Sequence, residues 1–562
     1  MIGVLCSEDE KNAAREFFEL FKTPWEFFNN KSRYDVVLAT REPALGPDQA
    51  ECLVRFNWNC SDETVSGQKT PHRSCKQQYF LYEGIKVPVY QNFSPFNTDG
   101  VPLIRTGQNR RVIADRIINN GRITFRIGFN LFKEVAYLLS EGQPAANASL
   151  PTLDIHISVL RNMILSAGIP LVEVPPIPDG HSSFVCLTHD VDFVRITNHG
   201  CGHTLCGFLY RATIGSFFNL LRRKASLRKC LINLGAALSL PLVYLGLRND
   251  FWLQFDKYAK IEKDLKSTFF LIPFKNRRGD KVTSKYAKRR ATKYDITDVQ
   301  EYATNLTKLG HEVGVHGIDA WHDSEKGRLE LDAIAKVIKV QGLGTRIHWL
   351  CFDSDSPTRL EDAGFLYDST FGYQQTAGFR AGTAQVFRPL GVKRILEVPL
   401  LIQDVSLFSP SFLNMNEDEV DHTCKAITEQ VLTFGGVLTI SWHLRSAAPE
   451  RLWGDFYRRL VDHLRKHRPW FATAGEVAEW FRARRAISFA NGSFCDNEFH
   501  LQMESRQRMP HRRFVLRVYR PASNSTCLSA QKTVDYIDIP WSGEKSITVP
   551  VQQWRDMAAH GA

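Results

Sequence analysis

The feature that most constrains this chain is a unit that recurs from Phe184 onward. A short apolar run ends in polar residues, and an amphipathic stretch with helix caps follows. The apolar runs occupy residues 184–187, 268–272, 312–315, 347–351, 395–401, 437–441 and 470–472. Between them, Thr297-x-x-Gln300 opens a helix that stops at Gly310, Ser356-Pro357 opens one that stops at Gly364, and Thr473-x-x-Glu476 opens the last. Strands alternating with helices predict an α/β fold, here a distorted (β/α) barrel of about seven parallel strands. In such barrels the carboxyl ends of the strands build the active site, which is where these polar residues fall.

The barrel accounts for residues 181–485, interrupted by an insertion over 198–250. A chain of 562 residues exceeds what one hydrophobic core supports, so flanking domains are expected. Residues 1–175 open with a strand at 2–6, the capping box Ser7-x-x-Glu10, a helix carrying Ala14, Phe17, Phe18 and Phe21, and a strand at 34–39. Helical stretches follow near 130–139 and 153–165, and the Pro-rich segment 174–180 closes this N-terminal α/β domain. From 486 to 562 the pattern shifts to short alternating runs, such as 514–519 and 536–539, which predict a small β-rich C-terminal appendage.

Hydrophobic residues at 43% and charged residues at 23% fit a globular protein. The net charge of +11 is concentrated around 222–229 and 276–293, a local preference for anionic surfaces rather than a nucleic-acid footprint, so no nucleic-acid partner is expected. Within the insertion, 207–221 is aromatic with basic flanks, and 231–247 is apolar apart from Asn233, Ser239, Pro241 and two glycines. That is short of the ~20 residues a spanning helix needs, so a buried or interfacial hairpin is expected, with peripheral membrane contact through 207–247. The twelve cysteines form no CxxC pair, and the first residues show no basic region leading into an apolar run. Reduced thiols and a cytoplasmic location at the inner face of the membrane are expected. His199, Cys201, His203 and Cys206 lie close together but match no paired-ligand spacing.

The chemistry gathers at three strand ends. The first strand runs into Thr188-His-Asp-Val-Asp192, and because side chains of a strand alternate, Asp190 and Asp192 share a face. Two carboxylates at one rim repel unless a cation or proton lies between them, so the pair suggests a metal and a general base. The third strand ends at Gly310-His-Glu-Val-Gly-Val-His316, which puts His316 on the face of Glu312 and Gly314. Another strand ends at Trp442-His443.

Together with Ser267-Thr-Phe-Phe270, Arg346 and Tyr367-Asp-Ser-Thr370, these motifs resemble, in order, those of the polysaccharide deacetylase family, also called the NodB homology domain or carbohydrate esterase family 4. The resemblance covers about 184–484. It implies a divalent metal such as zinc and hydrolysis of N-acetyl groups on the amino sugars of a glycan. It assigns Asp190 as catalytic base, His443 as catalytic acid, Asp192 and His316 as metal ligands, and Arg346 as the arginine that orients the base, with Arg380 a rival for that last role. Two departures stand out. Val191 separates the aspartates, and Ala320 stands where the family has a second histidine. His322, Asp319 or His348 must then complete the ligand set, or water does, and His322 is the choice, as an imidazole in a loop able to turn back. An aromatic groove including Trp321, Trp349 and Trp442 would suit a glycan, whereas a closed pocket would suit a small amide in a related C–N hydrolase. A barrel without metal would only bind glycan.

Overall fold

The computed structural model describes residues 1–43, 46, 48–58, 78–107, 111–119, 121–222, 226–282, 287–495, 498–506, 513–521 and 535–550. The chain forms two compact units, one of 1–180 with 381–383 and 480–562, the other of 181–380 with 384–479.

In the first unit the expected opening is present: strand Ile2–Leu5, the capping box of Ser7 and Glu10, helix Lys11–Leu20 and strand Tyr34–Ala39. Phe17 and Phe18 are buried on the helix's inner face, as their spacing predicts. Asn130 caps helix Leu131–Ser140 by accepting from the Phe132 and Lys133 amides. The nine-stranded sheet is larger than the sequence suggested. Five parallel strands continue into four antiparallel ones, Val112–Asn119, Val101–Thr106, Gln78–Tyr82 and Ile85–Val89. The β-rich C-terminal segment expected from the sequence is present and is tied to the N-terminal residues of this unit. Strand Phe514–Tyr519 pairs antiparallel with Leu171–Glu173, and the buried Arg484 guanidinium donates to the carbonyls of Glu19, Leu20 and Val174. Strand pairing between segments so distant in sequence leaves no local pattern to read.

The second unit is the barrel. Its strands lie in the spatial order Leu396–Glu397, Tyr367–Asp368, Thr345–Ile347, Glu312–Gly317, Ser267–Leu271, Phe184–Val191, Val437–Ser441 and Ile402–Gln403, every neighbouring pair parallel. Trp470–Phe471 adds a ninth strand beside Phe184–Val191. The expected run 395–401 is thus two short strands, and the expected strand at 347–351 lies earlier, at Thr345–Ile347. Among the described residues, Leu396–Glu397 and Ile402–Gln403 do not pair with each other, so the sheet is a barrel left open on that side. The strands are buried on both faces, as parallel strands covered by helices must be.

Caps set the helices that space these strands. Asn416 and Glu419 form a capping box on Glu417–Phe434, and Thr473 and Glu476 bond reciprocally at the last helix. At Thr297-x-x-Gln300 the cap is instead Asp295, whose carboxylate accepts from the Thr297 amide. The insertion folds as helix His203–Tyr210, a π-helical turn Arg211–Gly215, helix Ser216–Leu221 and helix Leu227–Tyr244. Part of its basic cluster, 223–225, lies outside the described residues.

Candidate active site

Side chains alternate along the first strand as its sequence predicts. Val191 is fully buried in the apolar core, while Asp190 and Asp192 point the other way. His189 also turns from the rim, with Nδ1 bonded to the Trp442 carbonyl and Nε2 to the Glu262 carboxylate, both at 2.8 Å. Both of its nitrogens are therefore engaged.

Asp190 meets Arg346, which lies on the strand Thr345–Ile347. Arg346 Nη1 donates to Asp190 Oδ1 at 2.9 Å and to Thr188 Oγ1 at 2.6 Å, while Nε and Nη2 donate to Ser369 O and Ser369 Oγ. The guanidinium lies over the Phe270 ring, 4.6 Å from its centroid. An arginine with donors bonded in three directions can hold one carboxylate in one orientation. Burial pushes the Asp190 carboxyl up, but Arg346 and the nearby His316 and His443 outweigh it and hold the group below the usual carboxylate range. Arg380 is elsewhere, over the Phe371 ring and donating to Gly372 O, so Arg346 is the arginine at the aspartates.

Asp192 is the hub. Its Oδ1 lies 3.2 Å from His316 Nε2 and 3.3 Å from His348 Nε2, and its Oδ2 lies 3.6 Å from His443 Nε2. Asp192, His316 and His348 each offer a ligand atom within 4.8 Å of the others. His316 Nδ1 faces the Arg346 carbonyl at 2.8 Å, and a carbonyl accepts only, so Nδ1 carries a hydrogen and Nε2 is the nitrogen turned toward Asp192. Burial drives His348 well below its ordinary pKa, which keeps it neutral and able to donate a lone pair. The residues present therefore fit a divalent ion: one carboxylate and two imidazoles converging from three strand ends.

His322, the sequence's choice for the third ligand, is not in this group. Its Nε2 bonds Asp319 Oδ1 at 2.9 Å, and the same oxygen accepts from the Asp280 amide, so Asp319 is engaged away from the triad too. His348 takes the place because the strand ends at Ile347, and the chain then turns sharply through left-handed backbone at Trp349 and Leu350. The buried Arg290 braces that turn, donating to the His348 carbonyl at 2.8 Å and 3.2 Å and to the Ile318 carbonyl at 2.8 Å.

His443 follows the strand Val437–Ser441 and is held by Asp404, which the sequence reading passed over. Asp404 Oδ1 lies 2.6 Å from His443 Nδ1, and Oδ2 accepts from the His443 amide at 2.8 Å and from Ser446 Oγ. Burial alone would push His443 down, but the Asp404 carboxylate, then Asp192 and Asp190, carry it up to about 9. His443 is thus a cation at neutral pH. The signal for Asp404 is its place just past an apolar run; that run reads as ending at 401, whereas the strand is Ile402–Gln403. Trp442 is no groove residue, being fully buried and stacked on Phe456.

No family model matches the sequence, and no curated protein matches it. Solved structures do. A protein from Mycobacterium smegmatis assigned as a polysaccharide deacetylase is 19% identical, with a TM-score of 0.34 over 55% of this chain and 95% of its own. An allantoinase is 14% identical, with a TM-score of 0.32 over 54% of this chain and 91% of its own. A structure described as a novel carbohydrate deacetylase is 9% identical, with a TM-score of 0.38 over 97% of each chain.

Proposed function

We propose that the barrel is a metal-dependent hydrolase that removes N-acetyl groups from the amino sugars of a glycan. The observation that carries this reading is the triad of Asp192, His316 and His348, flanked on one side by Asp190 with Arg346 and on the other by His443 with Asp404. Carboxylate and imidazole donors suit zinc, which when bound would polarise the acetamide carbonyl and lower the pKa of a water. The chain's own residues supply the proton transfers. Asp190, ionised and oriented by Arg346, takes a proton from the attacking water. His443, kept protonated by Asp404, gives the proton at Nε2 to the departing amine nitrogen, and acetate and a free amino sugar leave.

The test is acetate release from an N-acetylglucosamine oligomer by zinc-loaded protein and by Asp190→Asn. Turnover is expected to fall by about 10² to 10⁴ in the variant, with metal retained, because a positioned general base contributes about that much. Wild-type protein that holds zinc but releases no acetate from any N-acetylated glycan, while hydrolysing a small amide, would replace this reading with that of a small-amide hydrolase.

A further inference from the structure

The insertion between the first two barrel strands has its amphipathicity reversed. Along helix Leu227–Tyr244 the inward stripe is small or polar at Cys230, Asn233, Ala236 and Ser239, joined by Leu240 and Val243. The leucines recur on the outward stripe at 227, 231, 234, 238, 242 and 245, a helical spacing. Leu231 is 60% exposed, Leu238 81% and Leu245 72%. The other arm repeats the arrangement. Ala212 and Ser216 are buried, while Ile214, Phe217 and Leu221 are exposed. The two arms meet through small side chains and the hydrogen bond from Asn233 Nδ2 to Ser216 Oγ at 2.6 Å. A helix in water turns its apolar stripe inward, whereas helices in hydrocarbon associate through small and polar residues and turn leucine outward.

Charge identifies what covers this face. No Asp or Glu occurs between Asp192 and Asp250, while Arg211, Arg222 and Arg228 lie along the arms and Lys229 is already paired with Glu417 outside the hairpin. A second copy of the chain would bring like charges together with no acid in either hairpin to pair them. An anionic lipid surface meets both requirements. Eighteen helical residues extend about 27 Å, less than the ~30 Å hydrocarbon core, and Arg228 and Lys229 fall in the first turn, so the arms suit the interface rather than a span. We propose that the hairpin 203–247 docks the protein on an anionic bilayer, its outward leucines and phenylalanines in the acyl boundary and its basic residues at the headgroups.

The hairpin is rooted beside the candidate active site. Ile196, four residues past Asp192, packs with Phe208, Leu240, Trp252 and Ala448, the last lying just beyond His443. Docking would thus bring that rim near the lipid. The proposal does not depend on the chemistry assigned to the rim.

Flotation of the full chain with vesicles on a density gradient tests it, since aggregated protein does not float. Wild-type protein is expected to float with phosphatidylcholine vesicles containing about a third phosphatidylglycerol, and to bind pure phosphatidylcholine at least tenfold more weakly. Each of Leu231→Ser, Leu238→Ser and Leu245→Ser removes an outward side chain without touching the core and is expected to lower partitioning by roughly tenfold. Arg222→Glu with Arg228→Glu is expected to lower it at low salt by more than tenfold, at about fivefold or more per basic residue. Protein that stays at the bottom with both vesicle types overturns the proposal. So does a wild-type dimer in solution that Leu238→Ser dissociates, which would assign the face to a second copy. Equal flotation with both vesicle types overturns the requirement for anionic lipid.

Discussion

Replacing Asp404 by Asn should displace the alkaline limb of the activity profile without removing the metal site. In the folded chain Asp404 bonds His443 Nδ1 at 2.6 Å, and its charge is the main influence carrying that imidazole up to about 9 from the ordinary 6.5. A cation at the triad lowers this value but acts on wild type and variant alike, so the separation due to Asp404 persists. An acid with pKa near 9 is about nine-tenths protonated at pH 8, whereas one near 6.5 is about 3% protonated there. If His443 is the proton donor, Asp404→Asn should therefore cost up to about 30-fold at pH 8, less in so far as Asp192 and Asp190 share in the shift, and under about twofold at pH 6, where both forms are largely protonated. Because the group must be protonated to work, activity is present below the folded pKa and lost as pH rises through it. The assay is kcat/KM for acetate release between pH 5.5 and 9.5, with bound zinc measured at each end. An equal loss at pH 6 and pH 8, with an unmoved alkaline limb, would refute the assignment of His443 as an acid tuned by Asp404.

Other outcomes follow from the same geometry. Arg346→Lys keeps a cation beside Asp190 but cannot reproduce the bonds to Asp190, Thr188 and Ser369 together, so turnover should drop about tenfold to a hundredfold with zinc content unchanged. Glu330 is buried, accepts from the Ile318 and Asp319 amides, and is pushed by burial from the ordinary 4.5 up to about 7. In that window the folded chain holds a proton the unfolded chain has released, so stability falls as pH rises from about 4.5 to 7, by up to about 3 kcal/mol. Glu330→Gln should flatten that part of the Tm profile, and an unchanged slope would show that Glu330 does not titrate there.

What was legible in the sequence was whatever alternation and position at a strand end could carry. Asp190, Asp192, His316 and His443 all lie at or just past the carboxyl ends of strands whose apolar runs are unmistakable, and the structure gathers them at one rim. His348 and Asp404 were harder because each depends on a strand boundary. Reading 347–351 as a strand buried His348 in its middle, whereas the strand stops at Ile347 and left-handed turns at Trp349 and Leu350 bend the chain away. Ending the next run at 401 separated Asp404 from its strand in the same manner. His322 looked suitable by residue type and distance along the chain, but nothing in the sequence shows that its loop turns it onto Asp319. The pairing of 171–173 with 514–519 has no local signature at all.

The central claim is that Asp192, His316 and His348 hold a metal ion, and the most direct measurement is zinc bound per chain, by elemental analysis after loading and gel filtration, for wild type, His348→Ala and His322→Ala. The account predicts one zinc per chain in the wild type and in His322→Ala, and affinity weakened at least tenfold in His348→Ala because a direct ligand is gone. Full zinc in His348→Ala, with loss in His322→Ala, would contradict it.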